Sequence, residues 1–203
     1  MSSIVLPLAY RHSSEVAILH QLALPTRFKG RPGHALLAAY YQTVAEGQGA
    51  CGFVVEDGCG KVMGFICGVW EPTLLKNRLM RERWHTLLYW GGAAVLTHPA
   101  VVLEALGRFQ CGSEMRTGFP PGYELRPIVI SPAARGKGVA SQLVMRLVED
   151  ACSRGYSSIH LLVEQRNQAA LALYSKCGFE KVTDMNRGGR YYARLNRPLG
   201  PTR

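Results

Sequence analysis

The six residues from Arg135 to Ala140, Arg-Gly-Lys-Gly-Val-Ala, are the part of this sequence whose types and spacing most directly indicate chemistry. They stand between an apolar segment that predicts a strand and an amphipathic segment that predicts a helix. Glycines allow a sharp bend and a close approach to a ligand, and the first amides of a helix attract anions. The pattern therefore predicts a phosphate-binding turn, to which Arg135 and Lys137 add positive charge.

Two common phosphate motifs do not fit this turn. A P-loop requires Ser or Thr after its Gly-Lys pair, whereas Lys137 is followed by Gly138. A dinucleotide fingerprint requires a third glycine, but the segment that begins at Gly136 ends in Ser141. No acidic residue closes a following strand at the expected distance. The phosphate therefore belongs to another kind of ligand.

The elements that position the turn follow from hydrophobic periodicity. The last third predicts strands and helices in alternation and then a hairpin: strand 123–130, helix 138–154, strand 158–163, helix 167–177, and strands 179–185 and 190–195. The first third predicts a strand at 4–11, helices at 13–25 and 34–45, and a hairpin of strands 51–57 and 62–70, with a turn-rich connection at 28–33. Between them, residues 72–121 are predicted to be a helical insertion.

Composition limits the classes that remain. The 203 residues suit one domain, and no run of eighteen apolar residues indicates a transmembrane helix. The formal charge of +10 suits nucleic acid, a polyanionic small molecule or simple solubility. The basic residues are spread along the chain without a nucleic-acid motif, so nucleic acid is not favoured.

The six cysteines form no CxxC pair and have no histidine at zinc-ligand spacing. We therefore expect no metal site, and free thiols in a reducing cytoplasm. The N-terminus lacks the pattern of a secretory signal, which agrees with a cytoplasmic location.

Three segments in order resemble the GNAT superfamily of N-acetyltransferases. Arg135 to Ala140 matches its [Gln/Arg]-x-x-Gly-x-[Gly/Ala] signature, Pro127 to Pro132 is similar to its preceding strand, and Asn167 to Phe179 resembles its Asn-x-x-Ala-x-x-Leu-Tyr-x-x-x-Gly-Phe segment. The resemblance is strong over residues 123–182. It implies a single domain over 1–203, of α/β (α+β) class: a mixed, mostly antiparallel sheet flanked by helices, with the 72–121 insertion between the third and fourth strands.

The resemblance also implies a cosubstrate, acetyl-CoA. Backbone amides of the turn would hold its pyrophosphate; the residues concerned are Arg135, Gly136, Lys137, Gly138, Val139 and Ala140. The strand before the turn would splay from its neighbour and receive the pantetheine arm along Ile128, Val129 and Ile130, where one amide would stabilise the developing oxyanion. Asn167 would contact the same arm, cap its own helix, or do both.

The resemblance implies two catalytic side chains for acetyl transfer to a primary amine. Tyr174 would be the general acid that protonates the departing thiolate, with a packed core aromatic as the alternative. Glu124 would be the general base for the acceptor ammonium, with an exposed strand-end carboxylate as the alternative. Glu71 and His160 are poorer candidates for the base.

The acceptor amine is not specified by these motifs. A small amine, an amino sugar, a polyamine and a protein amino group all remain open. The basic, amphipathic start of the insertion would be an acceptor lid, a homodimer surface or a membrane-surface helix, and Tyr89 and Trp90 would line an acceptor pocket or belong to the core. Two other functions remain as alternatives: a non-catalytic acyl-CoA-binding regulatory module, and a nucleic-acid binder.

Overall fold

The computed structural model describes residues 4–24, 30–97, 122–187 and 189–200. In chain order the elements are β1 (Ile4–Pro7), α1 (Ser13–Ala23), α2 (Gly30–Ala45), β2 (Ala50–Glu56), β3 (Val62–Val69), α3 (Pro72–Glu82), α4 (Trp84–Thr97), β4 (Tyr123–Ile130), α5 (Val139–Ser153), β5 (Ser158–Glu164), α6 (Gln168–Lys176), β6 (Glu180–Arg187) and β7 (Arg190–Pro198). Short 3₁₀ turns lie at Tyr10–His12 and Pro132–Ala134.

The described strands form one seven-stranded sheet in the order β1-β2-β3-β4-β5-β7-β6. The pairs β1–β2, β3–β4, β5–β7 and β6–β7 are antiparallel, whereas β4 and β5 run parallel. The mixed, mostly antiparallel sheet and the six helices of the described ranges confirm the predicted fold class.

The chain divides into two compact units. One contains residues 1–7, 52–70 and 122–203, and therefore most of the sheet together with α5 and α6. The other contains residues 8–51 and 71–121, and its described elements include the four helices α1 to α4.

Helix α5 packs an apolar stripe in the sheet-containing unit. Val139, Leu143, Leu147 and Ala151 recur at the spacing of one helix face, and all four are buried. The hydroxyl of Tyr123 in β4 donates a hydrogen bond to Asp150 of α5 at 2.7 Å. Since strand side chains alternate, this bond identifies the sheet face that packs on α5.

Gly68 of β3 is required by the packing of Tyr123. A Cβ built at Gly68 would lie 2.3 Å from Cε1 of Tyr123, whose ring also stacks on Trp70 at 5.4 Å. Because the ring is held from two sides, we expect Gly68→Ala to lower the free energy of unfolding by about 1–3 kcal/mol. Urea unfolding measures this, with Gly58→Ala as control because no heavy atom lies within 4 Å of its added Cβ. Equal stability of the two variants would contradict the packing argument.

In the helical unit, α1 and α2 are joined by a hydrogen bond of 2.6 Å between Nδ1 of His20 and the Tyr41 hydroxyl. Glu46, which follows α2, forms ion pairs with Arg78 within α3 at 2.8 Å and with Arg83, the C-cap residue of α3, at 2.7 Å. Glu46 therefore has two charged partners, whereas an isolated surface ion pair has one.

The helices differ from the prediction at the start of α2 and agree with it in the insertion. Helix α2 begins at Gly30, so the turn-rich segment predicted for 28–33 is wrong over 30–33; Pro32 is compatible with the first turn, where no backbone N–H is needed. The helical prediction for the insertion is confirmed over Pro72–Glu82 and Trp84–Thr97, while residues 98–121 lie outside the described part of the chain.

Candidate active site

The turn between β4 and α5 depends on two glycines in the left-handed region of backbone space. Gly136 has φ 74° and Gly138 has φ 77°. A Cβ at either position would meet no heavy atom within 4 Å, so the backbone conformation, and not packing, requires glycine here. Gly138 is also the N-cap residue of α5.

The turn presents a series of amides that come before the first helical hydrogen bond. The amides of Ala134 and Arg135 donate to the carbonyls of Ser131 and Pro132, and the first bond of α5 runs from Gln142 to Gly138 at 3.1 Å. The amides of the first turn of α5, from Val139 to Ser141, have no intrahelical acceptor. With the positive end of the helix dipole and the exposed side chains of Arg135 and Lys137, this geometry suits an anion.

Strands β4 and β5 separate soon after they begin. Along their described lengths they pair only at Tyr123–Ile159 and Glu124–His160, although β4 continues to Ile130. A bulge in the β3–β4 ladder accompanies the separation: Ile66 pairs with Ile128 and Cys67 with Arg126, which leaves Pro127 as the extra residue. Proline suits a bulge because it has no N–H to donate to the ladder.

The pairing of β3 and β4 decides which amides face the opening. Ser131 donates its N–H to the carbonyl of Met63 at 2.8 Å, so by alternation Val129 also directs its backbone groups to β3. Ile128 and Ile130 then direct theirs to the opposite side, toward β5. Of the three strand residues predicted from the sequence, these two have the orientation that an extended ligand needs.

Tyr174 lies in α6 with 5% of its surface exposed, and its ring meets Phe179 edge-on at 5.6 Å. Burial, with a smaller contribution from the neighbouring Cys177, raises the pKa of the Tyr174 hydroxyl above its ordinary value. The hydroxyl therefore stays protonated across the neutral range, which is the state that a general acid needs.

The helix that follows the turn and the helix that carries Tyr174 meet at Cys177. The hydroxyl of Ser141, in the first turn of α5, lowers the pKa of the Cys177 thiol, against the larger opposite effect of burial. Arg197 of β7 donates to the Cys177 carbonyl and also contacts the sulfur of Met145 in α5 at 3.2 Å. The structure thus brings the predicted turn and the predicted acid into one region of the same unit.

Asn167 caps α6. Its side-chain oxygen accepts a hydrogen bond from the amide of Ala170 at 3.1 Å, which is one of the two roles expected from the sequence. A contact with the pantetheine arm stays a prediction.

Glu124 lies near the start of β4, where β5 is still paired with it. The side chain is partly exposed, and Oε2 accepts hydrogen bonds from Nη2 and Nε of Arg126 at 2.8 and 3.0 Å. Glu124 therefore does not stand as an isolated carboxylate at a strand end. It belongs to a charged group on the sheet face opposite Tyr123.

Sequence reasoning did not single out Arg126 and Arg194, which belong to this charged group. The i, i+2 spacing of Glu124 and Arg126 in a strand is a signal that they share a face. Arg194 is placed near His160 only by the β5–β7 pairing, in which it opposes Leu162. Glu71, the other carboxylate considered, lies in the helical unit, where it is the N-cap residue of α3.

The helical unit contains a cavity of about 460 Å³. Trp90 lines it together with Gln21, Arg31 and His34. Tyr89, by contrast, is 71% exposed. Trp90 therefore lines a pocket, which is one of the two alternatives predicted for Tyr89 and Trp90.

Three further observations concern the part of the chain that the structure describes. There, no group of three His, Cys, Asp or Glu side chains could hold a metal ion. None of the described helices is long and apolar enough to span a membrane. Cys51, Cys59, Cys67, Cys152 and Cys177 are free thiols, and Cys111 lies outside the described residues.

The fold and the turn together define an α/β protein with a split sheet and an anion-compatible helix start. A sequence profile of the acetyltransferase (GNAT) family matches residues 16–179, which is well over half of the chain. The chain therefore belongs to the GNAT family of acetyltransferases.

Individual proteins are similar over parts of the chain. N-alpha-acetyltransferase RimI of Mycobacterium tuberculosis is 40% identical over 114 residues, which are 56% of this chain and 63% of RimI. N-alpha-acetyltransferase MAK3 of Arabidopsis thaliana is 41% identical over 58 residues, 29% of this chain and 30% of MAK3. The chain thus spans less than two thirds of the length of the curated relatives it matches.

The fold is also that of solved acetyltransferases. The structure of a GNAT superfamily phosphinothricin acetyltransferase from Sinorhizobium meliloti, in complex with AcCoA, aligns with a TM-score of 0.64 and 18% identity. The alignment covers 98% of this chain and 90% of that one.

Proposed function

We propose that this protein transfers the acetyl group of acetyl-CoA to a primary amine by direct attack. The observation that carries the proposal is the separation of β4 from β5 immediately before an amide-rich, glycine-dependent turn. An extended ligand with a phosphate group fits that arrangement, because its chain would lie along β4 and its phosphate would lie at the turn. Membership of the GNAT family supports the same function. Because the profile match spans elements of both units, we also propose that the whole chain forms one domain of this family.

The residues present fit coenzyme A in two separate ways. The amide of Arg135 is bonded to the Pro132 carbonyl, so the amides from Gly136 to Ala140, together with the charged side chains of Arg135 and Lys137, would hold the pyrophosphate. The backbone groups of Ile128 and Ile130 would hold the pantetheine arm as a neighbouring strand would, assisted by Asn167. The thioester supplies the acetyl group when the cosubstrate is bound.

The chain's own residues would divide the chemistry between them. An amide of Ile128 or Ile130 would donate a hydrogen bond to the acetyl oxygen as negative charge develops on it. Glu124 would take a proton from the acceptor ammonium, and Tyr174 would give its proton to the leaving thiolate. Tyr174 is protonated at neutral pH, as this role requires, although burial raises its pKa and so makes it a weaker acid.

One experiment tests the proposed acetyl transfer and identifies the class of the acceptor amine. The protein is incubated with acetyl-CoA and a panel of amines while the release of free thiol is followed. The panel includes a small amine, an amino sugar, a polyamine and a peptide with a free N-terminus, the last because two relatives are N-alpha-acetyltransferases. Thiol release that requires one amine class supports the proposal. Binding of coenzyme A without thiol release would instead support a non-catalytic acyl-CoA-binding module.

Glu124→Gln tests the proposed base. We expect kcat/KM for the acceptor to fall about thirtyfold, below the usual effect of a general base because water takes over part of the role. The loss should be largest at neutral pH and smaller at alkaline pH, where more acceptor is already neutral. Initial rates across pH measure this.

Glu149→Gln is the matched control for that variant. Glu149 is an exposed carboxylate on α5 that is paired with Arg146, and its replacement should leave the rate unchanged. A Glu124→Gln enzyme with the wild-type rate and pH profile would remove Glu124 from the mechanism.

Two further properties are proposed on narrower grounds. The five described free thiols support a cytoplasmic location. A homodimer stays a prediction, and the more than half-exposed side chains of Met80, Trp84, Leu88 and Tyr89 on α3 and α4 are the surface to test for it.

A further inference from the structure

Helix α4 combines an apolar sequence with an exposed side. Its fourteen residues, Trp84–Thr97, include no Asp, Glu, Lys or Arg. A helix that is apolar all round is normally buried. Yet the side chains of Trp84, Leu88 and Tyr89 are more than half exposed, and so is that of Met80 at the end of α3. These four side chains form an uncovered surface, the α3–α4 face.

The other side of α4 is packed within the helical unit. The helix contacts α2, and Trp90 lines the cavity that Gln21 and His34 also line. The ring of Tyr89 meets that of Trp90 edge-on at 5.0 Å. Helix α4 is therefore held along the surface of its unit, with one side packed and the opposite side open.

The two aromatic residues of the α3–α4 face are amphipathic. Among the described residues, neither the indole N–H of Trp84 nor the hydroxyl of Tyr89 has a hydrogen-bond partner. Rings of this kind bury an apolar body while the polar atom stays in contact with water or with lipid head groups. They therefore suit the boundary between acyl chains and head groups.

Basic side chains border the α3–α4 face. Lys76 is exposed one helical turn before Met80, and Arg81 is exposed directly after it. Arg81 has no acidic partner within the described ranges. Glu82 is the only acidic residue in the sequence of the two helices, and it is paired with Arg78 at 2.9 Å. The surface thus combines apolar side chains with a net positive charge.

This charge favours one occupant over another. In a two-fold dimer the same face meets its own copy, so Lys76 and Arg81 of the two copies would approach and repel one another. An anionic bilayer instead attracts basic side chains, and its interfacial region takes up tryptophan and leucine side chains. Charge complementarity therefore points to lipid.

We propose that the α3–α4 face binds the surface of a membrane that contains anionic lipids. Helix α4 then lies in the plane of that surface. Trp84 and Leu88 enter the outer part of the acyl chains, and Lys76 and Arg81 lie at the level of the lipid phosphates. The proposal is independent of the acetyl transfer, because none of these residues belongs to the catalytic or coenzyme A sites proposed above.

Vesicle flotation of the whole protein tests this binding. Vesicles of phosphatidylcholine alone are compared with vesicles of phosphatidylcholine and phosphatidylglycerol in equal parts, each at low and high salt. We expect the protein to float with the mixed vesicles at low salt. Added salt, or omission of phosphatidylglycerol, should weaken the binding, because both reduce the electrostatic attraction.

Two pairs of substitutions separate the apolar contribution from the electrostatic one. Trp84→Gln with Leu88→Gln should lower the partition into mixed vesicles about tenfold per residue. Lys76→Gln with Arg81→Gln should lower it about fivefold per charge. All four side chains are exposed, so the fold should be retained. Val182→Gln is the control, since Val182 on β6 is also more than half exposed but lies in the other unit, and its partition should be that of the wild type.

A second measurement reports contact with the acyl chains. Brominated phosphatidylcholine in the mixed vesicles quenches the fluorescence of a tryptophan that reaches the bromine atoms. Quenching is expected in the wild type and should be largely lost in Trp84→Gln, although Trp70 and Trp90 remain.

Several results would overturn the proposal. One is wild-type partition of the Trp84→Gln, Leu88→Gln protein, and another is quenching that persists in Trp84→Gln. Wild-type partition of the Lys76→Gln, Arg81→Gln protein would overturn the preference for anionic lipid. If the wild type did not float, and sedimentation instead showed a dimer that the Trp84 and Leu88 substitutions dissociate, the face would be an interface between copies of this chain.

Discussion

Tyr174→Phe is expected to reduce kcat about a thousandfold while leaving the affinity for coenzyme A unchanged. The substitution removes only the hydroxyl, and the thiolate must then leave without a positioned proton donor. The ring contact with Phe179 is retained, so the fold should be as stable as before. Steady-state rates of thiol release and the binding of coenzyme A measure the two quantities separately.

The raised pKa of Tyr174 also predicts how the wild-type rate behaves at alkaline pH. Because burial holds the hydroxyl protonated beyond its ordinary range, the wild-type rate should show no alkaline decline from this group up to about pH 10. Tyr191→Phe is the control, since Tyr191 of β7 is 59% exposed. If Tyr174→Phe turned over at the wild-type rate, the residue would be a packed aromatic and not the acid.

Replacing both turn glycines, in Gly136→Ala with Gly138→Ala, is expected to weaken coenzyme A binding about a hundredfold. A left-handed conformation costs a residue with a Cβ roughly 1–2 kcal/mol, so the free variant would relax the turn. Binding of coenzyme A must then restore the left-handed conformation at each residue, which lowers the affinity about tenfold per residue. Calorimetric titration with coenzyme A measures the loss, and kcat at saturation should change less than KM.

Gly155→Ala separates this effect from backbone strain in general. Gly155 has φ 78° and open space at its Cβ, as the turn glycines have, but it follows the other end of α5. The control should lose similar stability per residue and keep wild-type affinity for coenzyme A. Wild-type affinity in the double turn variant would exclude the turn as the phosphate site.

The order of the elements could be predicted because it depends on local signals. The stripe of Val139, Leu143 and Leu147 repeats with the helical period, and the two turn glycines come just before that helix, which Gly138 caps. The predicted start of α2 is too late in the chain, because Gly30 and Pro32 are typical of turns and are nevertheless compatible with a first helical turn.

The sequence by itself determined the type of fold, and it located the glycine turn and the tyrosine proposed as the acid, because each depends on residues within one or two neighbouring elements. Only the tertiary structure decided which amides face the opening, since that choice follows from the hydrogen bond between Ser131 and Met63. It alone also brought Glu124, His160 and Arg194 onto one face. These residues belong to three strands that are distant in sequence, and strand pairing, not local propensity, makes them neighbours.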